Sequence, residues 1–224
     1  MKKYLLFIVC ILFSFVFFPL SGEQDNMTEK QKLSYALGVF FAQSISQQDL
    51  DMDVEYFLEA VADMLNKNQP KLSNEEIQTI FARFQQQEQK KRSAQAAANT
   101  QTGKEFLERN RTKEGINELA NGLQYRILRP GSGVNPQPDS EVTVHYRGTL
   151  ISGEEFDSSY KRNQPAKLLL GRVIKGWQVA LPMMKTGALW QLYIPAELAY
   201  GSAGQGIIGP GETLIFEVEL IEVH

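Results

Sequence analysis

Apolar positions recur at helical spacing in the first third of the chain and alternate in its last half, and the change of period divides the molecule. From Thr28 to about Gln47, Leu33, Leu37, Phe40, Phe41 and Ile45 recur at helical spacing, and Tyr35, Val39 and Ala42 widen the stripe. That face is too broad for a lone surface helix. Gly38 sits in its middle, at a cost of about 1 kcal/mol relative to Ala unless a close helix approach needs the missing side chain. A second helix is predicted from Asp53, an N-cap residue, through Phe57, Leu58, Val61, Met64 and Leu65. A third begins at Ser73, whose spacing to Glu76 is that of a capping box, and meets no glycine or proline before Gly103. Ile77, Ile80, Phe81 and Phe84 give its first turns something to bury. From Gln85 to Gln101 there is no apolar stripe, so the segment reads as a solvated helical spacer, with a disordered tether as the alternative; its composition favours the helix. Carried to about Arg111, this helix would be about 55 Å long.

After Gly122 the period becomes two. Leu123, Tyr125 and Ile127 alternate; Gly131, Gly133, Pro136 and Pro138 interrupt; then Val142, Val144 and Tyr146 resume the alternation. Further strands are predicted over Lys167 to Leu170, Trp190 to Ile194 and Leu214 to Val223, with one short helix near Trp177 to Met184. The fold class is therefore α+β: all-α at the N-terminus, then an antiparallel sheet with one short helix on a face. The boundary is expected between residues 112 and 120, leaving a domain of about one hundred residues.

The first residues belong to neither pattern. Lys2 and Lys3 precede an apolar run from about Leu5 to Phe18, followed by Pro19, Leu20, Ser21 and Gly22, which is the layout of a secretory signal over residues 1–22. An uncleaved membrane anchor is the alternative, since the run lies between the lengths of a signal core and a spanning helix and Leu20 is a poor residue at the −3 position. The only cysteine, Cys10, lies inside the run, without the small residues that precede a lipidated cysteine. With the signal removed, no disulfide, thiolate nucleophile or cysteine metal site is available.

Composition then narrows the chemistry. At 43% hydrophobic and 22% charged, the 224 residues are those of an ordinary globular protein. Without Lys2 and Lys3 there remain 21 basic against 26 acidic residues, a net charge of about −5 with no basic stripe, so nucleic acid is not an expected partner. Two histidines, His145 and His224, are too few for a histidine metal site, and no metal or other cofactor is expected. His145 is the one candidate base inside the sheet domain, and alternation puts it with Thr143 and Arg147 on the face opposite Val142, Val144 and Tyr146. Nucleophilic and histidine-base catalysis thus lack a place.

The apolar face is better supplied. Five strings follow in order: Val144-His145-Tyr146-Arg147-Gly148, Phe156-Asp157-Ser158-Ser159, Val173-Ile174-Lys175-Gly176-Trp177, Ala199-Tyr200-Gly201 and Leu214-Ile215-Phe216-Glu217-Val218. Periodicity sets Leu214, Phe216, Val218 and Leu220 on one side of the last strand and Trp177, Leu181 and Met184 on one side of the short helix. Most of these are core. Tyr146, Asp157, Arg162 and Tyr200 are polar groups beside that core and need partners.

In order and spacing these strings resemble the FK506-binding type of peptidyl-prolyl cis-trans isomerase over about residues 113–224. Lys32-Leu33-Ser34-Tyr35-Ala36-Leu37-Gly38 and Pro70-Lys71-Leu72-Ser73-Asn74-Glu75-Glu76-Ile77 resemble the helical dimerisation region of that family's secreted bacterial branch, the macrophage infectivity potentiator type. The resemblance implies a helical dimerisation region over residues 23–70, a linker helix over 71–112 and an isomerase domain over 113–224, its sheet wrapped on the short helix. It assigns catalysis to Asp157, Tyr200, Ile174 and Trp177, and substrate binding to Tyr146, Phe156, Arg162, Val173, Ile208 and Phe216. Trp177 would be the floor under the proline ring, Ile174 N–H and the Tyr200 hydroxyl would donate to substrate, and Asp157 would bond Tyr146 and Arg162. Ala166 departs from the large aromatic of eukaryotic members, and the loop from Tyr200 to Phe216 is about a residue shorter. The implied function is an exported homodimer, in the periplasm or cell envelope, that isomerises X-Pro bonds of unfolded or folding polypeptides without covalent chemistry and is inhibited by FK506-like macrolides. A peptide-binding chaperone or adhesion module with little turnover is the alternative.

Overall fold

The computed structural model describes residues 27–46 and 50–224, so the signal expected over residues 1–22 lies outside the described residues. The chain forms two compact units, one up to Lys71 and one from Leu72. In the first, α1 (Glu29–Ser46) and α2 (Val54–Leu65) form where the periodicity predicts them. Asp53 caps α2, its carboxylate accepting from the backbone N–H groups of Glu55 and Tyr56 at 3.0 and 3.2 Å. Phe41 stacks on Phe57 with ring centroids 6.0 Å apart, and Lys71 pairs with Glu59 at 2.5 Å. Among the described residues neither helix has a buried side chain, and Leu33, Tyr35, Phe40 and Tyr56 are more than 60% exposed.

The second unit opens with α3 (Asn74–Asn110), whose 37 residues run unbroken. Its capping box is complete: Ser73 Oγ accepts from Glu76 N–H at 3.2 Å while the Glu76 carboxylate accepts from Ser73 N–H at 2.8 Å. The helix is not solvated along its whole length. Gly103 and Asn110 are buried, and Asn110 Nδ2 donates to buried Gln124 Oε1 at 3.0 Å. The last turns of the segment over residues 71–112, which the resemblance sets apart as a linker helix, thus pack on β2 and β6, with Phe106 against Tyr193 at 6.0 Å. Periodicity could not reveal this, because Phe106 and Leu107 stand among small, amidic and charged residues and form no repeating stripe.

The sheet has seven strands: β1 (Ile116–Glu118), β2 (Gln124–Arg129), β3 (Glu141–Leu150), β4 (Glu155–Ser158), β5 (Ala166–Leu169), β6 (Leu189–Ile194) and β7 (Leu214–Val223). Their order is β1-β2-β6-β7-β3-β4, with β5 also pairing β3, and every pairing is antiparallel. The short helix α4 (Lys175–Ala180), continued by a 3-10 turn at Leu181–Met183, covers one face. Val142, Val144, Leu214, Val218 and Leu220 on the sheet and Leu181 and Met184 on the helix side are fully buried, each contributing about 1.5–3 kcal/mol. Strands β1 and β4 escape the sequence reading because each carries a single apolar residue, Ile116 and Phe156, from which no period can be read. Ile127 is 44% exposed, beside a bulge at the end of β2, where the covering layer no longer reaches.

Candidate active site

Alternation along β3 and β7 decides which side chains can meet under α4. Tyr146 and Phe216 fall on the buried face, and Gly148 stands opposite Phe216 in the β3–β7 register. A methyl on Gly148 would lie 2.6 Å from the Phe156 ring and 2.8 Å from that of Phe216, so only glycine lets these rings close over the strand. Trp177, 4% exposed, enters from α4 and meets Tyr146 and Phe216 edge to face at 5.3 and 5.2 Å; Phe156 meets Phe216 likewise at 5.4 Å. Gly176 permits this approach, since a methyl there would meet Ile194 at 2.6 Å.

These rings border a cavity of about 610 Å³. Of the ten residues that the resemblance implies, nine line it: Tyr146, Phe156, Asp157, Val173, Ile174, Trp177, Tyr200, Ile208 and Phe216. Arg162 stands behind them. Its guanidinium donates through Nη1 to Asp157 Oδ1 and through Nη2 to the Tyr146 hydroxyl at 2.8 Å, while that hydroxyl donates to Asp157 Oδ2, closing a triangle. Burial works to raise the Asp157 carboxyl, but the bonds from Tyr146 and Arg162 outweigh it and hold the group below the usual carboxylate range. Tyr146 is raised by burial and then by Asp157. Burial, reinforced by Asp157, also raises Tyr200, so its hydroxyl stays protonated at neutral pH.

Donors of cavity-lining residues lack an acceptor among the described residues, the buried indole Nε1 of Trp177 among them. The N–H of Ile174, at the N-cap of α4, makes no backbone or side-chain hydrogen bond, and neither does the Tyr200 hydroxyl. His145 lies on the other face, as alternation requires: its Nδ1 is 2.9 Å from Ser159 Oγ and its ring stacks on Tyr160 at 4.6 Å. Among the described residues no cluster of His, Cys, Asp or Glu could hold a metal ion. Leu168, Arg172, Gln205, Gly206 and Ile207 also line the cavity and were missed in the sequence. Alternation along β5 could have found Leu168; Arg172 ends a 3-10 turn and the others lie in a loop, where no period exists to read.

A family model described as FKBP-type peptidyl-prolyl cis-trans isomerase matches residues 133–221, and a model of the domain amino-terminal to such isomerases matches residues 30–127. The chain is 43% identical over 201 residues to the peptidyl-prolyl cis-trans isomerase Mip of Coxiella burnetii, covering 88% of this chain and 87% of that protein. It is 40% identical over 202 residues to the outer membrane protein MIP of Legionella longbeachae, with 88% and 86% covered. Among solved structures it is similar to FkpA from Escherichia coli, with TM-score 0.65, 37% identity and coverage of 88% of this chain and 97% of that one. A peptidyl-prolyl cis-trans isomerase from Pseudomonas syringae pv. tomato matches with TM-score 0.54 and 41% identity, over 57% of this chain and 94% of its own.

Proposed function

Because the chain belongs to the family of FKBP-type peptidyl-prolyl cis-trans isomerases, we propose that the cavity floored by Trp177 is where it rotates X-Pro bonds, in proline-containing segments of unfolded or folding exported proteins. Its activity is peptidyl-prolyl cis-trans isomerisation. The observation that carries the assignment of the site is the pair of free donors, Ile174 N–H and the Tyr200 hydroxyl, beside an aromatic floor. Rotation of a peptide bond faces a barrier of about 18–20 kcal/mol because amide resonance must be broken. No bond is cleaved, so no nucleophile, base or metal is needed. As the bond twists, the carbonyl loses charge separation and the proline nitrogen becomes pyramidal, so a dry apolar wall disfavours the planar ground state more than the twisted one.

In this reading Trp177 carries the proline ring, Ile174 N–H holds a substrate carbonyl and Tyr200 donates a second bond. The Tyr146–Asp157–Arg162 triangle keeps the polar edge rigid with its charge already paired. Val173, Ile208, Phe156 and Phe216 wall the ring. Each tenfold acceleration requires about 1.4 kcal/mol of differential stabilisation. An NMR exchange or protease-coupled assay on an apolar-Pro peptide should show acceleration that an FK506-like macrolide suppresses. No acceleration by folded protein would overturn the assignment.

The wider setting is also proposed. Export to the periplasm or cell envelope is supported by the N-terminal apolar run and by a relative named an outer membrane protein. A homodimer formed through α1 and α2 is supported by their exposed apolar faces and by Gly38, where an added methyl would meet nothing within 4 Å among the described residues. The same exposed Phe, Tyr and Met side chains favour a second reading, loose binding of unfolded chains. Aggregation suppression that survives Asp157→Val combined with Tyr200→Phe would support that chaperone role.

A further inference from the structure

The segment from Tyr200 to Thr213 supplies Tyr200, Gln205, Gly206, Ile207 and Ile208 to the cavity, yet it contains five glycines. Gly201, Gly204, Gly206 and Gly211 have left-handed φ of 59°, 65°, 57° and 76°. Such a loop is entropically costly to hold in one shape. Within itself it makes few backbone bonds, among them Gly211 N–H to Gly201 O at 2.9 Å and the reciprocal pair of Gln205 and Ile208. Its outer side rests on α3. Arg92 Nη2 donates to Ala203 O at 2.8 Å and Asn99 Nδ2 donates to Pro210 O at 2.9 Å. A methyl on Gly211 would lie 2.4 Å from Ala96 O, and one on Gly103 would lie 2.3 Å from Thr213 Oγ1. Arg92, Ala96, Asn99 and Gly103 succeed one another at intervals of four, three and four, which is one face of a helix.

We infer that Asn99, assisted by Arg92, is a positioning residue for isomerisation, holding the glycine-rich loop so that Tyr200 and Ile208 stand in the cavity. The Gln- and Ala-rich stretch that lacks an apolar stripe is then the seat on which this loop is clamped, its small and amidic residues chosen for close approach and for donors. The inference rests on the cavity being the isomerase site. If the loop is released, only the fraction of molecules with it seated binds substrate, and apparent affinity falls by that fraction.

The test uses the full chain carrying Asn99→Asp, which keeps the shape of the side chain but removes its donor, and Arg92→Ala at an exposed position, whose result stands if the first variant does not fold. NMR exchange on an X-Pro peptide separates KM from kcat, and amide hydrogen exchange reads the loop directly. The expected result is faster exchange at Gln205, Ile208 and Gly211 and a KM raised between about two- and tenfold, the loss of one hydrogen bond, with kcat less affected. Exchange in β3 and β7 should not change. Faster loop exchange with unaltered KM would reduce the clamp to a structural support and overturn the inference, as would unaltered exchange. A wild-type protein that accelerates no X-Pro peptide would overturn the site assignment itself.

Discussion

At the scale of single residues, the site depends on contacts that admit little substitution. Gly148→Ala would drive a methyl into Phe156 and Phe216, so we expect loss of isomerase activity in a protein destabilised by about 1–3 kcal/mol, measurable by denaturant titration. Asp157→Val removes the acceptor of two bonds and leaves Arg162 and Tyr146 without their partner, which should lower kcat/KM about ten- to a hundredfold. The pH dependence follows from the same group. Its folded-state carboxyl lies below the ordinary value, so its stabilising contribution is present above the unfolded value of about 4 and is lost as pH falls through the folded one. Activity should therefore be level from about pH 8 to pH 5 and fall only in stronger acid. A midpoint near neutrality would point to a different titrating group.

Elements hold these residues by local rules that the sequence states openly. The capping box at Ser73 and the N-cap at Asp53 were legible because a side-chain oxygen four residues before an apolar stripe has one evident use. Ser73→Ala should fray the start of α3 at a cost of about 1 kcal/mol, seen as faster amide exchange in its first turn. The strands β3, β6 and β7 were legible because each has one buried face. β1 and β4 were not, having one apolar residue each and so no period, and the loop after Tyr200 has none at all. The packed half of α3 was also hidden, since helix and loop meet there through Gly103, Gly211 and amide donors instead of apolar side chains.

For the whole molecule, the two units divide the work differently. The unit from Leu72 contains a closed core and the entire cavity, so a protein beginning at Leu72 should fold and keep its kcat/KM on short peptides. The unit up to Lys71 leaves apolar side chains such as Leu33, Tyr35, Phe40 and Tyr56 exposed among the described residues. If a second copy packs against Gly38, Gly38→Ala should weaken association at micromolar concentration by light scattering, whereas in an unpartnered helix it would add about 1 kcal/mol of stability.

The class of fold, the helix starts and the buried faces of the long strands were already legible in the sequence, because periodicity and capping are local. The resemblance to a family implied ten site residues and the pairing of Asp157 with Tyr146 and Arg162. It took the tertiary structure to show that Arg162 also bonds the Tyr146 hydroxyl, that Trp177 meets Tyr146 and Phe216 edge to face, and that α3 seats the loop after Tyr200. These are contacts between residues up to 111 positions apart, set by strand register and by close approach at glycine, which no local pattern encodes.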